Sequence, residues 1–262
     1  MNVQQGFMIE HGADIRDRFA FAAECGFDFL ELNMDFQFDR TRTDAERVRS
    51  LADNYGLTLA VHLPYRLDPG SHHGYVRDGV CRELEASVDA ALEMGASRGV
   101  MHATSMAHPE KWTGTEIRPW IYESIRRVNG YAVERGFTVV VENVKGPFFD
   151  ASDFPELFAE TDASACLDTG HAMVSGYDLE WQADLLAEHG DRIAHIHLNT
   201  RRGEAGEDEH LPVGIGGQPF DVLTAAMRDI DWSGTCTHEV FGFDSEYVAL
   251  GKRRFSEWLA EE

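Results

Sequence analysis

ERGFTVVVE, residues 134–142, decides the fold. Within nine residues it holds the polar end of a helical stretch, a glycine, and an apolar β-branched run that stops on a carboxylate. A glycine just past a helix takes left-handed φ/ψ at little cost, and it marks where the chain turns. The same order recurs in ECGFDFLEL (24–32), NYGLTLAVH (54–62) and EMGASRGVMH (93–102), and more loosely in EHGDRIAHIHL (188–198). Gly26, Gly56, Gly95, Gly136 and Gly190 are each expected to be left-handed. Helix alternating with strand at roughly 25–40 residue spacing indicates parallel βαβ units.

Strands are expected at about 3–9, 27–32, 58–62, 98–102, 138–142, 164–168, 193–198 and 235–239. Helices are expected at about 13–24, 43–54, 76–94, 117–134, 153–161, 178–189, 219–229 and 246–260. Eight such units fit a single-domain (β/α)8 TIM barrel over residues 1–262 better than an open sheet. The glycine-rich dinucleotide fingerprint is missing after the first strand, which counts against a Rossmann domain, and no organic cofactor is expected.

The apolar runs end on metal-type ligands. TLAVH ends at His62, RGVMH at His102, TVVVE at Glu142, ACLD at Asp168, AHIH at His197 and CTHE at Glu239. Function gathers at the C-terminal strand ends of a barrel, so these side chains should converge on a divalent metal. Two residues deeper, the inward positions are Ala60, Val100, Val140, Cys166, His195 and Thr237. Most are small or apolar, as a packed layer requires; His195 is the exception.

Each candidate has a plainer alternative. In CLDTGHA (166–172), Asp168 and His171 are spaced to face one cavity, but a strand-ending Asp also caps helices. Glu142 and Glu239 follow apolar runs, so each must be paired, metal-bound or solvated at the rim. His238 should point to the opposite face, toward the helices. His197 is the ligand of the HIHLN pair, with His195 beneath it as a hydrogen-bonded support. His62 and His102 are ligands or substrate hydrogen-bond donors. Asp208 and His210, in EDEHLPVGIGG (207–217), are either a further ligand pair or part of a solvated acidic loop. Lys145, a rare lysine just after Glu142, is placed to contact an anionic substrate. Tyr65, Trp112, Phe148 and Phe149 could wall a pocket, while His72 and His73 read as loop surface. With neither a G-x-S-x-G elbow nor a Walker loop, Ser-triad hydrolysis and P-loop phosphoryl transfer lack support.

VHLPY (61–65), VVVENV (139–144), CLDTGHA, HIHLN (195–199), DEHLPVGIG (208–216) and HEVF (238–241) together resemble the xylose-isomerase-like superfamily of TIM barrels. That superfamily contains sugar phosphate isomerases and epimerases, and endonuclease IV. The resemblance covers essentially the whole chain. It implies that Glu142, Asp168, His197 and Glu239 hold a shared divalent metal, with His171 on a substrate oxygen. In the epimerase branch the two glutamates also act as acid and base on opposite faces of the substrate. In the endonuclease branch His62, His102 and Glu142 hold one zinc, the four core residues another, and His171, Asp208 and His210 a third. All nine positions carry a suitable residue. Three departures favour the small-molecule branch. NMDFQFDRTRTD (33–44) stands where that family has a basic, aromatic DNA-reading loop. His102 is followed by Ala-Thr rather than Pro-Gly, and GEAGEDE (203–209) puts acids where phosphates would pass. The expectation is therefore a metal-dependent isomerase or epimerase of a sugar, sugar phosphate or related polyol, working through an enediolate. A dehydratase is a close variant. The alternatives are a multi-zinc phosphodiesterase for abasic DNA and a non-catalytic sugar-binding barrel. Mn²⁺ or Mg²⁺ suits the carboxylate-rich core, and Zn²⁺ suits the extended histidine-rich set.

Composition sets the surroundings. The 262 residues carry 46 Asp and Glu against 23 Lys and Arg, a formal net charge of -23. The lysines are Lys111, Lys145 and Lys252. Tight nucleic-acid binding in low salt is disfavoured, because phosphates need clustered Lys and Arg; molar salt blunts that repulsion. Cys25, Cys81, Cys166 and Cys236 form no C-x-x-C pair and read as reduced core residues of a cytoplasmic protein. A signal-peptide h-region and a run of ~18 apolar residues are both missing, so no membrane association is expected. A homo-oligomer is compatible with the composition. Dense carboxylate with little lysine suits a halophilic source, where salt screens self-repulsion. The melting temperature should therefore climb as KCl rises from dilute to molar; full stability in dilute buffer would remove the halophile expectation.

Overall fold

Strands and helices alternate along the chain. The strands are β1 (Asn2–Met8), β2 (Phe29–Asn33), β3 (Thr58–His62), β4 (Arg98–His102), β5 (Thr138–Glu142), β6 (Ser164–Asp168), β7 (Ile193–Leu198) and β8 (Ser233–His238). The helices are α1 (Ile15–Glu24), α2 (Ala45–Tyr55), α3 (Gly74–Met94), α4 (Gly114–Val133), α5 (Phe154–Glu160), α6 (Thr169–Val174), α7 (Leu179–His189), α8 (Phe220–Asp229) and α9 (Ser245–Ala260). A 3-10 turn, Ala151–Asp153, leads into α5. The structure, a computed structural model, describes residues 1–202, 207–242 and 244–261. Each strand pairs in parallel with the next, and β1 pairs with β8, so the sheet closes into a single-domain (β/α)8 barrel.

The five strands from β3 to β7 lie where the sequence places them. The other three shift. β1 sits one residue earlier, leaving Ile9 beyond it. β2 starts two residues later because the Phe27 N–H is committed to Ala22 O at the end of α1. β8 ends at His238, so Glu239 stands one residue past the strand; its N–H still donates to Leu198 O at 3.1 Å. That bond holds Glu239 in register with the ligand-bearing strand ends.

Gly26, Gly56, Gly95 and Gly136 have φ between 67° and 91°, as their position after a helix requires. Gly190 does not: its φ is -61°. Close approach explains this glycine, since a Cβ there would run into the Ile230 side chain and lie 2.6 Å from Leu186 O.

The main apolar core lies between the strands and the helix layer, with Phe19, Ile121, Phe154 and Phe255 fully buried in it. Inside the barrel, Val100, Val140 and Cys166 form a small apolar plug. All four cysteines are free thiols; Cys25 is half-buried and the other three are buried. Among the described residues no helix is long and apolar enough to cross a membrane.

The short helix α6 is absent from the sequence expectation. Six residues are too few for a 3.6-residue pattern to show, and Thr169 to Met173 are all buried. It forms because Asp168 Oδ1 accepts the His171 N–H at 2.6 Å, so the capping role of Asp168 is real. Asp168 Oδ2 accepts Asn199 Nδ2 at 2.8 Å. Gly170 makes room for that amide: a Cβ at Gly170 would overlap the Asn199 side chain. Gly170→Ala should therefore cost roughly 1–3 kcal/mol in a urea unfolding curve by displacing Asn199. An unchanged midpoint would show that the amide yields freely.

Candidate metal centre

The strand ends converge as expected on one buried point. Glu142, Asp168, His197 and Glu239 each bring a ligand-type atom within 4.8 Å of the others'. His197 Nδ1 lies 3.1 Å from Glu239 Oε2, 3.6 Å from Glu142 Oε1 and 3.8 Å from Asp168 Oδ2. Two further groups flank this one. On the first side, Glu142 Oε2 faces His62 Nε2 at 3.2 Å and His102 Nε2 at 3.1 Å. On the second, Asp208 Oδ2 faces His171 Nε2 at 3.3 Å and His210 Nε2 at 3.2 Å. Glu142 belongs to both the first and the central group, and its Oε1 also lies 3.2 Å from His171 Nδ1.

The histidines are anchored from behind. His62 Nδ1 bonds Leu63 O at 2.9 Å, His171 Nδ1 bonds Asn143 O at 3.1 Å and His210 Nδ1 bonds Glu239 O at 3.3 Å. His197 Nε2 bonds Glu31 Oε1 at 3.1 Å. Carbonyl and carboxylate oxygens only accept, so each of these ring nitrogens carries the proton. The opposite nitrogen of each ring then presents a lone pair to a carboxylate. Two lone pairs at about 3 Å repel unless a proton or a cation sits between them.

The residues fit metal on this ground and on one more. Glu142 Oε1, His197 Nδ1, Asp208 Oδ1 and Glu239 Oε2 are buried and make no hydrogen bond. Buried polar atoms are nearly always satisfied, so four orphans in one ligand cluster call for cations. Without them, protons compensate. Burial opposes charge on His171 and His197, but the carboxylates around them outweigh it and hold both well above the usual imidazole range. His210 is raised to about 9 against its burial, chiefly by Glu239 and Asp208. Burial pushes Asp168 up to about 7, with His171 opposing and the Glu239 and Glu142 charges adding. Burial also opposes charge on Glu142, but His102 and His197 hold it well below the carboxylate range.

The centre opens on a cavity of about 680 Å³ at the barrel mouth. His62, His102, His171, Asp208, His210 and Glu239 face it from below. Lys145 also lines it, held by Asp208 at 2.8 Å. Of the four proposed aromatic walls only Tyr65 serves; it packs edge-on to His62, with centroids 5.6 Å apart. Phe148 and Phe149 are buried in the core instead, and Trp112 stacks on His72 and meets Trp120 edge-on. Their loops fold back over helices, so apolarity there serves packing. Phe36 and Phe241 wall the cavity in their place. His72 and His73 are exposed, as expected. His238 points to the helix layer, against Gly251 and Phe255. His195 lies beneath His197, fully buried, and burial lowers it to about 4. Residues 203–206 of the acidic GEAGEDE stretch lie outside the described residues.

Sequence reasoning missed Glu31, Asn143 and Asn199. Glu31 is a fully buried carboxylate in the interior of the barrel. The signal was present, since an acidic residue inside FLEL calls for a partner as much as Glu142 does. Asn143 Oδ1 accepts the Asp168 N–H at 2.7 Å, and Asn143 Nδ2 donates to Asp168 O at 3.0 Å.

Known proteins are similar to this chain in sequence and in fold. A probable endonuclease 4 of Mycobacterium ulcerans is 27% identical over 206 residues, covering 78% of this chain and 80% of its own. A probable endonuclease 4 of Haloarcula marismortui is 26% identical over 239 residues, covering 82% and 84%. Among solved structures, a D-tagatose 3-epimerase-like protein superposes with a TM-score of 0.81 at 21% identity, covering 98% of this chain and 97% of its own. Residues 19–259 match the family described as the xylose isomerase-like TIM barrel, and the chain belongs to that family.

Proposed function

We propose that this barrel is a multinuclear divalent-metal hydrolase of phosphate esters. The observation that supports it is the set of three adjacent ligand groups, two of which share Glu142. Glu142, Asp168, His197 and Glu239 would hold the central cation. His62 and His102 with Glu142 would hold a second, and His171, Asp208 and His210 a third. A set this rich in histidine suits Zn²⁺. Zinc bound there supplies concentrated positive charge to a phosphoryl group and makes water a better nucleophile at neutral pH. The chain's own part is to aim the ligands and shape the cavity. Tyr65 and Phe36, with centroids 6.3 Å apart, offer a wall on which a sugar or base ring can rest. Lys145 brings an ammonium to the rim beside Asp208. The endonuclease 4 relatives add support from sequence.

The sugar isomerase or epimerase favoured by the loop departures becomes the second reading. Its metal would rest on the central four residues alone, with Glu142 and Glu239 exchanging protons with substrate and His171 on a substrate oxygen. A cavity of small-molecule size over the central group favours it. Against it stands Glu142, whose two oxygens both face imidazoles. Set among those imidazoles and against its burial, the carboxyl is held well below the usual carboxylate range, chiefly by His102 and His197, which makes it a weak base for a carbon-bound proton.

Elemental analysis and an abasic-site oligonucleotide in molar KCl separate the two. Three metals per chain with strand incision are expected. Glu142→Gln should lower kcat for incision by on the order of 10²–10³ or more. One metal per chain, no incision, and deuterium uptake by a ketose in heavy water would replace the hydrolase with the isomerase.

A further inference from the structure

Glu31 belongs to none of the three ligand groups, yet it is as deeply buried as they are. β2 carries it into the interior, level with Ala60 of β3. Its carboxylate gathers three partners. His197 Nε2 lies 3.1 Å from Oε1, His195 Nε2 lies 3.2 Å from Oε2, and Thr237 Oγ1 donates to Oε2 at 2.5 Å. His195 Nδ1 continues to Thr235 Oγ1 at 2.5 Å, and Arg98 Nη1 donates to that hydroxyl at 2.6 Å. A buried polar chain thus runs from Arg98 up to His197 at the metal centre.

The His197 ring has two nitrogens with opposite duties. An ionised carboxylate has no proton to give, so Nε2 must carry one to meet Glu31. Nδ1, aimed at Glu142, Asp168 and Glu239, is then the nitrogen that meets a cation, in exchange for the second proton those carboxylates favour in the metal-free ring. With Glu31 removed, a ring that gives up one proton is free to give up the Nε2 proton instead. Nδ1–H would donate to Glu239 Oε2, 3.1 Å away, and place a proton where a cation must bind.

We infer that Glu31 is a positioning residue that fixes the His197 tautomer and so readies the central ligand group for a divalent cation. This rests on the metal-binding reading of His197 given above. A residue with only a structural role would, when replaced, lower the stability of the metal-free protein and leave its zinc affinity alone.

The test compares metal-stripped wild type, Glu31→Gln and Glu31→Asp in molar KCl. Zinc affinity is read by competition with a chromophoric chelator. The tautomer of the neutral His197 ring is read by ¹⁵N NMR of metal-free, histidine-labelled protein titrated to alkaline pH, and thermal unfolding of the metal-free forms is the folding control. Glu31→Gln should weaken the tightest zinc by roughly 10–100-fold and erase the pure Nε2–H pattern of His197. Glu31→Asp keeps the charge but loses a methylene of reach, and should fall between. Wild-type affinity with an unchanged His197 pattern in Glu31→Gln would overturn the inference. If Glu31→Gln does not fold, Glu31→Asp decides on the same two readings, and no change in either overturns it. Failure of wild type itself to take up zinc would instead sink the metal reading.

Discussion

Lone pair set against lone pair is the constraint around which this barrel is built. Four carboxylates and five imidazoles crowd one buried end of it, and the rings point their free nitrogens at the acids. Two like charges about 4 Å apart repel by about 4 kcal/mol even at a screened interior dielectric. A hydrophobic core has no use for such an arrangement. Protons on His171, His197 and His210 relieve it in the metal-free protein, and cations would relieve it with more charge in less space. Metal and proton therefore compete for the same lone pairs.

The fold meets that constraint by keeping the ligands stiff. Glu142 and Asp168 end strands that are hydrogen-bonded on both sides, and the Leu198 carbonyl holds Glu239 in line. Behind them a second set of groups does the aiming. Leu63, Asn143 and Glu239 lend backbone carbonyls to three rings, Glu31 holds the fourth, and Asn143 and Asn199 grip Asp168. Backbone carbonyls are positioned by the strands and turns themselves, so much of this aiming follows from closing the barrel.

These two layers differ in how legible they are in the sequence. The ligand layer shows plainly, because a charged residue ending a β-branched run such as TVVVE breaks an otherwise uniform pattern. Glycine punctuation then fixes the strand bounds around it. The aiming layer is mostly hidden. Carbonyls carry no sequence signature at all. Glu31 is the exception, since in FDFLEL it falls on the face opposite Asp28, with Phe27 and Phe29, so the two acids cannot both be on the solvent side of a pleat. Asp168 was legible as both cap and ligand: it caps α6, and its Oδ2 lies 3.8 Å from His197 Nδ1 in the central group. Gly190 misleads because a glycine after a helix usually answers to φ, whereas here it answers to the Ile230 side chain.

In molar salt the acidic exterior would bear on substrate choice less than its size suggests. A net charge of -23 would repel a phosphate ester in dilute buffer. At 1 M salt the Debye length is about 3 Å, so surface acids act little beyond contact distance. Selection then passes to groups that touch the substrate inside the cavity, where salt screens weakly. There the cation ligands, Lys145 and the Tyr65 wall converge. Lys145 is itself tied to Asp208, a member of the third ligand group. A cation on that group would draw Asp208 toward itself and loosen its hold on the ammonium. Metal occupancy and the position of Lys145 would then be linked through that one carboxylate.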